Sequence, residues 1–297
     1  MTVFGVHTGL QNTTMAEVRG LWTRIEDAGY GWISIWDHFY AADMTGGPVC
    51  HEAVAAHAAL ACTTSRVRVG SLVYCVGYRH PAVLANALCT IDHLSNGRAD
   101  LGLGAGWSQL EYDAYGIPFP SAKVRLDMLE ESAECIRGLL RDESTNFKGE
   151  HFTLTDAKCE PKPVQANLPI WIGGGGEKRT LRIAAKLADA WNVPFIPPEE
   201  FARKRDVLHG HCEAIGRDPR AIHCAVNVGL AWREEDLAPQ FGAMADYVRP
   251  GVLMGSDEQV IDRIGQYVEA GADQVNIAVR APFDPAGLER LAQALDL

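Results

Sequence analysis

The sequence predicts an α/β protein whose 297 residues form one (β/α)₈ barrel, with insertion loops at the C-terminal face. Three observations predict it. Apolar, β-like runs alternate with amphipathic helical segments almost throughout, which implies parallel strands covered on both faces. Eight such units fit within the chain, a better match to a closed barrel than to an open doubly wound sheet, which remains the alternative. Three of the runs end in unusual segments: Trp36-Asp37-His38-Phe39, the glycine-spaced 102–107, and the four glycines Gly173–Gly176. In a parallel barrel the C-terminal strand ends share one face, and that face carries the chemistry.

The elements follow in order. Val3–Thr8 reads as the first strand, and Met15–Ala28 has helical spacing ending at Gly29. Trp32–Asp37 is the second strand, Glu52–Thr64 an Ala-rich helix, and Val67–Tyr74 a continuous third strand. Pro81–Leu94 places proline in the first turn of a helix and Asn96-Gly97 after its end, a pairing typical of helix boundaries. Ala99–Gly104 is the fourth strand and Val124–Leu140 a long amphipathic helix. The fifth strand is Ile170–Ile172, followed by a helix over Lys178–Leu187. Trp191–Phe195 is the sixth strand, ahead of a charged helix over Pro198–Ile215. The seventh and eighth strands are Ile222–Leu230 and Asp273–Val279, with a helix from Ser256 to Gly271 between them. Two stretches, 107–121 and 141–169, exceed ordinary connections; such insertions serve as lids or binding loops, or pack the barrel end.

Composition narrows the function. A net charge of −11 argues against nucleic-acid binding, which needs clustered Lys and Arg. No apolar stretch approaches membrane-spanning length. Eight scattered cysteines without a C-x-x-C pair read as reduced thiols, and a cytoplasmic location is expected.

Candidate chemistry sits at the strand ends. His38 can exchange a proton near neutral pH, and the adjacent Asp37 can orient it; alternatively the pair satisfies loop amides. Glycines over 102–106 let a flat ring approach the backbone with Trp107 as a wall, or else form a tight barrel corner. They lack the G-x-G-x-x-G spacing of a dinucleotide fingerprint. Gly173–Gly176 leading into a helix present amide N–H groups to an anion, and Lys178 and Arg179 could add charge. His209 and His211 face different directions on one helix and no partner ligands can be placed for them or for Cys212, so they read as surface or partly buried residues and not as a metal site.

Taken together, these segments resemble the luciferase-like monooxygenase superfamily, and most closely its oxidoreductases dependent on coenzyme F420, a deazaflavin. The resemblance rests on Trp36–Phe39 (WDHF), Thr64–Gly70 (TSRVRVG), Tyr78–Pro81 (YRHP), Ile91–Arg98 (IDHLSNGR), Leu103–Trp107 (LGAGW), Ala114–Phe119 (AYGIPF) and Ile172–Leu181 (IGGGGEKRTL). It is strong over residues 1–200 and looser beyond. It implies a tricyclic ring in the barrel mouth beside Asp37 and His38, with His38 donating or accepting a proton. A non-prolyl cis peptide near Leu72 and Val73 would form a bulge behind the ring, with Cys75 at its edge and Gly106 and Trp107 nearby. Gly174, Gly175 and Gly176, with Glu177 after them, would hold the cofactor phosphate. The resemblance also implies a homodimer.

Two departures stand out. Where relatives commonly show proline, one or two apolar residues and glutamate, this chain reads Pro48, Val49, Cys50, His51, Glu52, which reshapes the substrate side. Trp107 occupies a position that is acidic in the deazaflavin sugar-phosphate dehydrogenases, so that substrate class is not supported. The leading expectation is therefore hydride transfer between F420 and a small organic substrate. The alternative is an FMN monooxygenase supplied with reduced flavin by a separate reductase. A third reading is a flavin-like carrier without turnover.

Overall fold

A computed structural model describes residues 2–42, 47 and 49–297; Pro48 lies outside the described residues. Eight parallel strands close into a barrel. They are β1 (Val3–Thr8), β2 (Trp32–Ile35), β3 (Arg68–Ser71), β4 (Ala99–Gly104), β5 (Ile170–Gly173), β6 (Ala190–Pro194), β7 (His223–Ala231) and β8 (Gln274–Val279). Each pairs with the next, and β8 pairs back to β1, so the eight strands close on themselves. The predicted barrel is the observed one.

Local chemistry fixes the helix ends. In α1 (Met15–Asp27), Thr14 and Glu17 form a reciprocal capping box that satisfies two orphan amides. Glu52 caps α2 (Ala53–Thr63). Pro81 opens α3 (Pro81–Ser95), and Asn96 closes it in the left-handed conformation, φ 56°. The barrel interior is partly aromatic: Trp32 stacks on Trp171 at 5.2 Å between centroids, in a layer with Leu72, Ala190 and Ala225. Three asparagines buried inside satisfy one another, because a polar group taken out of water needs a hydrogen-bond partner in its place. Asn192 and Asn276 both donate to the side-chain oxygen of Asn227 at 3.0 Å.

Three elements differ from the sequence expectation. The third strand is not continuous: it stops at Ser71, the Leu72–Val73 peptide is cis, and a short strand, Tyr74–Cys75, resumes beside β4. The residue pattern of 67–74 carries no sign of this break, because each residue is buried or half-buried on either side of it, whereas the cis peptide at Leu72–Val73 is the one the family resemblance implied. The stretch 107–121 contains a helix, α4 (Gln109–Tyr115), ahead of α5 (Ala122–Arg141). The stretch 141–169 joins the end of α5 to the start of β5, so by barrel topology it belongs to the end opposite the strand C-termini. It is thus not an insertion at the C-terminal face. Its antiparallel hairpin, Thr145–Lys148 with Thr153–Ala157, folds back along α5, where Glu131 accepts the amides of Glu150, His151 and Phe152 at 2.7–3.0 Å. All eight cysteines are free.

Candidate active site

Strands β2, β3, β4 and β5 are neighbours, so the residues that follow them meet at one mouth. The bulge after β3 is the centre of that meeting. A Cβ added at Gly104 would lie 2.3 Å from Val73 Cγ2, and one at Gly173 would lie 2.6 Å from Val73 Cγ1. The Val73 side chain therefore fills space that only glycine leaves at the ends of both β4 and β5. Leu72 belongs to the tryptophan layer of the barrel floor, and Val73 packs against the same layer.

The chain past β2 carries Trp36, Asp37 and His38. The His38 ring lies edgewise between Trp36, at 5.8 Å, and Trp107, at 5.4 Å between centroids. Its Nδ1 is 2.9 Å from Glu111 Oε2 on α4. Glu111 also accepts the Tyr78 hydroxyl at 2.8 Å and the amides of Phe39 and Tyr40 at 2.6 and 3.0 Å. Burial opposes its ionisation, but the bonds from His38, Tyr40 and Tyr78 outweigh burial and hold the carboxyl down at about 2. The carboxylate that faces His38 is Glu111, then, and not Asp37. Asp37 is buried, and it accepts two bonds from the Arg79 guanidinium, at 2.6 and 3.0 Å, and one from the Cys75 amide at 2.9 Å. Burial pushes its carboxyl up, while Arg79 and that amide pull it back. Asp37 thus ties the end of β2 to the bulge after β3.

Cys75 turns its thiol into the protein, 2.9 Å from the Tyr112 hydroxyl, and burial pushes it up to about 11. A Cβ at Gly106 would strike both groups at 2.6 Å. Trp107, by contrast, is half exposed, an apolar wall beside His38. His7, on β1, adds a second imidazole: its Nδ1 is 2.7 Å from Ser34 Oγ and its ring meets the edge of Trp36 at 5.9 Å. Burial first, then the charges of Arg280 and His38, lower it to about 3, so it is neutral at physiological pH.

The glycine turn after β5 is held from one side. Trp191 Nε1 donates to the Gly174 carbonyl at 2.8 Å, Lys204 Nζ to that of Gly175 at 3.0 Å, and His211 Nε2 to that of Glu177 at 2.8 Å. In a trans peptide the N–H points opposite to the C=O, so the amides of Gly175, Gly176 and Lys178 face away from these partners. Amides left free on a glycine backbone can make an anion cradle, a fit for a phosphate group. Arg179 is turned to Asp127 and the Lys123 carbonyl, and Lys178 is exposed. The nearby cation is Lys204, which, with Arg203, also holds the Glu177 side chain. Glu177 is left its backbone to offer. On the substrate side, His51 Nε2 donates to the Thr13 carbonyl at 3.0 Å and Cys50 bridges to Gln11.

Sequence reasoning missed Glu111, Tyr78, Arg79, His7 and Lys204. Tyr78 and Arg79 lie within a motif quoted above, and Glu111 lies between two of them. None of the five carries a spacing that announces its partner, since each meets a partner 27 to 73 positions away in the chain. A separate cavity of about 790 Å³, lined by residues including Trp232, Arg233, Ser256, Asp284 and Arg290, lies near the ends of β7 and β8.

A family model described as luciferase-like monooxygenase matches residues 1–240. An F420-dependent glucose-6-phosphate dehydrogenase of Amycolatopsis mediterranei (strain U-32) is 38% identical over 154 residues, 52% of this chain and 46% of that protein. Among solved structures, an F420-dependent secondary alcohol dehydrogenase in complex with an F420-acetone adduct superposes with a TM-score of 0.87 at 20% identity, covering 99% of this chain and 98% of the other. The monooxygenase RslO1 from Streptomyces bottropensis gives 0.77 at 19% identity, covering 99% and 97%. At these identities the two structures show the barrel fold.

The Arg79–Asp37 pair yields a test. Replacing Arg79 with Met leaves a buried carboxylate without its counter-ion, and the variant loses about 3–5 kcal/mol of stability at neutral pH. In that variant the folded-state pKa of Asp37 lies above its unfolded value, so the folded state binds the extra proton. An ordinary aspartate ionises around pH 4, so the deficit is smallest at and below that pH and grows as pH rises towards 7. Denaturant titrations at several pH values measure it; a deficit independent of pH would contradict the pairing.

Proposed function

We propose, for a chain that belongs to the luciferase-like monooxygenase family, that it is an oxidoreductase moving a hydride between coenzyme F420 and a small organic substrate. The observation that carries this reading is the His38 imidazole, braced by two tryptophans and Glu111 at a mouth whose floor is Val73 and whose rim includes the glycine turn. F420-dependent relatives support the choice of coenzyme. When bound, a deazaflavin supplies two-electron hydride chemistry at a ring carbon. The chain's own residues do the rest. His38 holds or moves the proton that accompanies the hydride, and Val73 with Gly104 and Gly173 offers a flat support for a ring. The amides of Gly175 and Gly176, near Lys204, hold the phosphate. Trp107 and the aromatic residues of α4 keep bulk water from the mouth. Trp107 also favours an apolar or planar substrate over a sugar phosphate.

The protein acts as a homodimer in this reading. Helix α2 carries no acidic or basic residue apart from the buried His57, and on the adjacent α3 Val83 and Leu94 are 63% and 47% exposed. A second copy would cover this uncharged face. Sedimentation should give twice the 32.3 kDa chain mass, and Val83→Glu with Leu94→Glu should shift it to monomer. A wild-type monomer at micromolar concentration would rule the dimer out.

Fluorescence quenching tests the cofactor. F420 should bind saturably and FMN much more weakly, and His38→Ala should leave F420 affinity within about tenfold, because backbone and phosphate contacts hold the coenzyme. Tight FMN binding with oxygen-dependent turnover, without F420 binding, would favour a two-component monooxygenase fed by a separate reductase.

A further inference from the structure

We propose that Glu111 is the positioning residue that sets the tautomer and the pose of His38. The inference deepens the reading of His38 as the proton-handling group and rests on it.

The two oxygens of Glu111 divide their work. Oε1 accepts the amides of Phe39 and Tyr40, and Oε2 accepts Tyr78 and faces His38 Nδ1. A carboxylate has no proton to give, and this one is ionised at neutral pH. The hydrogen between His38 and Glu111 therefore sits on Nδ1, and in the neutral ring the lone pair is on Nε2. That is the nitrogen that can take a proton from a reacting group and return it. The same carboxylate pins the backbone directly after His38 through two amides. Ring identity, ring orientation and chain path are thus set by one side chain, which is 1% exposed. Helix α4 exists in this stretch to present it: Tyr112 and Tyr115, on the same helix, pack on Tyr78 at 5.0 Å and on Phe39 at 4.4 Å.

Substitution by glutamine separates this role from a structural one. In Glu111→Gln the amide oxygen keeps the two backbone donors, since turning it round would set its NH₂ against both. The NH₂ then faces His38 Nδ1 and the Tyr78 hydroxyl, both of which can accept. The ring proton must move to Nε2. A residue that only clasped the loop would lose stability on substitution and leave the tautomer alone.

The experiment is a long-range ¹H–¹⁵N correlation spectrum of histidine-labelled protein without cofactor, above pH 7, with the His38 signals assigned by their loss in His38→Asn. Wild type should show the Nδ1–H form and Glu111→Gln the Nε2–H form. The same tautomer in both proteins, or Nε2–H in wild type, would overturn the proposal. Tyr78→Phe removes a neighbouring donor and should keep Nδ1–H. If Glu111→Gln does not fold, the wild-type and Tyr78→Phe spectra decide the matter, because Nε2–H in either contradicts the assignment. Absence of F420 binding would sink the functional reading and leave these spectra unchanged, so the two failures are distinguishable.

Discussion

The site depends on one steric constraint: the side chain of Val73 occupies room that exists only because β4 and β5 end in glycine. Closing eight parallel strands brings their ends to one face, but closure alone leaves those ends free to differ in height and direction. The bulge between β3 and the short strand Tyr74–Cys75 drives Val73 sideways across the ends of its neighbours, and Gly104 and Gly173 admit it. Three strand ends are locked into one surface by van der Waals contact. A methyl group at either glycine would have to displace the valine or the strand, and packed cores resist such displacement.

Charge does the second part of the assembly. Buried or half-buried carboxylates hold the amides of other segments, among them Glu26 for 65–67, Asp37 for Cys75, Glu111 for Phe39 and Tyr40, and Glu131 for 150–152. Loop amides have no strand partner, and a carboxylate can satisfy several at once. Two of these clasps sit away from the mouth and are structural. The two at the mouth do more, because Asp37 is also the counter-ion of Arg79 and Glu111 also faces the His38 ring. At the mouth, the acidic residues that hold the loops are thus also the ones that pair with Arg79 and face His38.

Much of this was legible in the sequence. Eight strands and the principal helices follow from apolar periodicity and from caps such as Pro81 and Asn96, which act locally. His38, Trp107 and the glycine turn stood out because their residue types are unusual at the end of a strand. The break in β3 was legible only through the family resemblance, which implied a cis peptide near Leu72 and Val73, and not through the residue pattern of the strand itself. Glu111 did not stand out: its partners are some 70 positions away, and nothing in its neighbours distinguishes it from a solvated helix residue. Asp37 misled for the complementary reason. Adjacency in sequence suggested that it orients His38, whereas successive residues of an extended chain project to opposite sides. Local rules reach the elements, and partners across the barrel require the closed fold.

A crystal structure of the protein with bound F420 tests the central claim directly. The account predicts the tricyclic ring against the Val73 bulge, within hydrogen-bonding reach of His38, and the phosphate at the amides of Gly175 and Gly176. A ring seated instead in the cavity beside Trp232 and Arg290, away from His38, would contradict it.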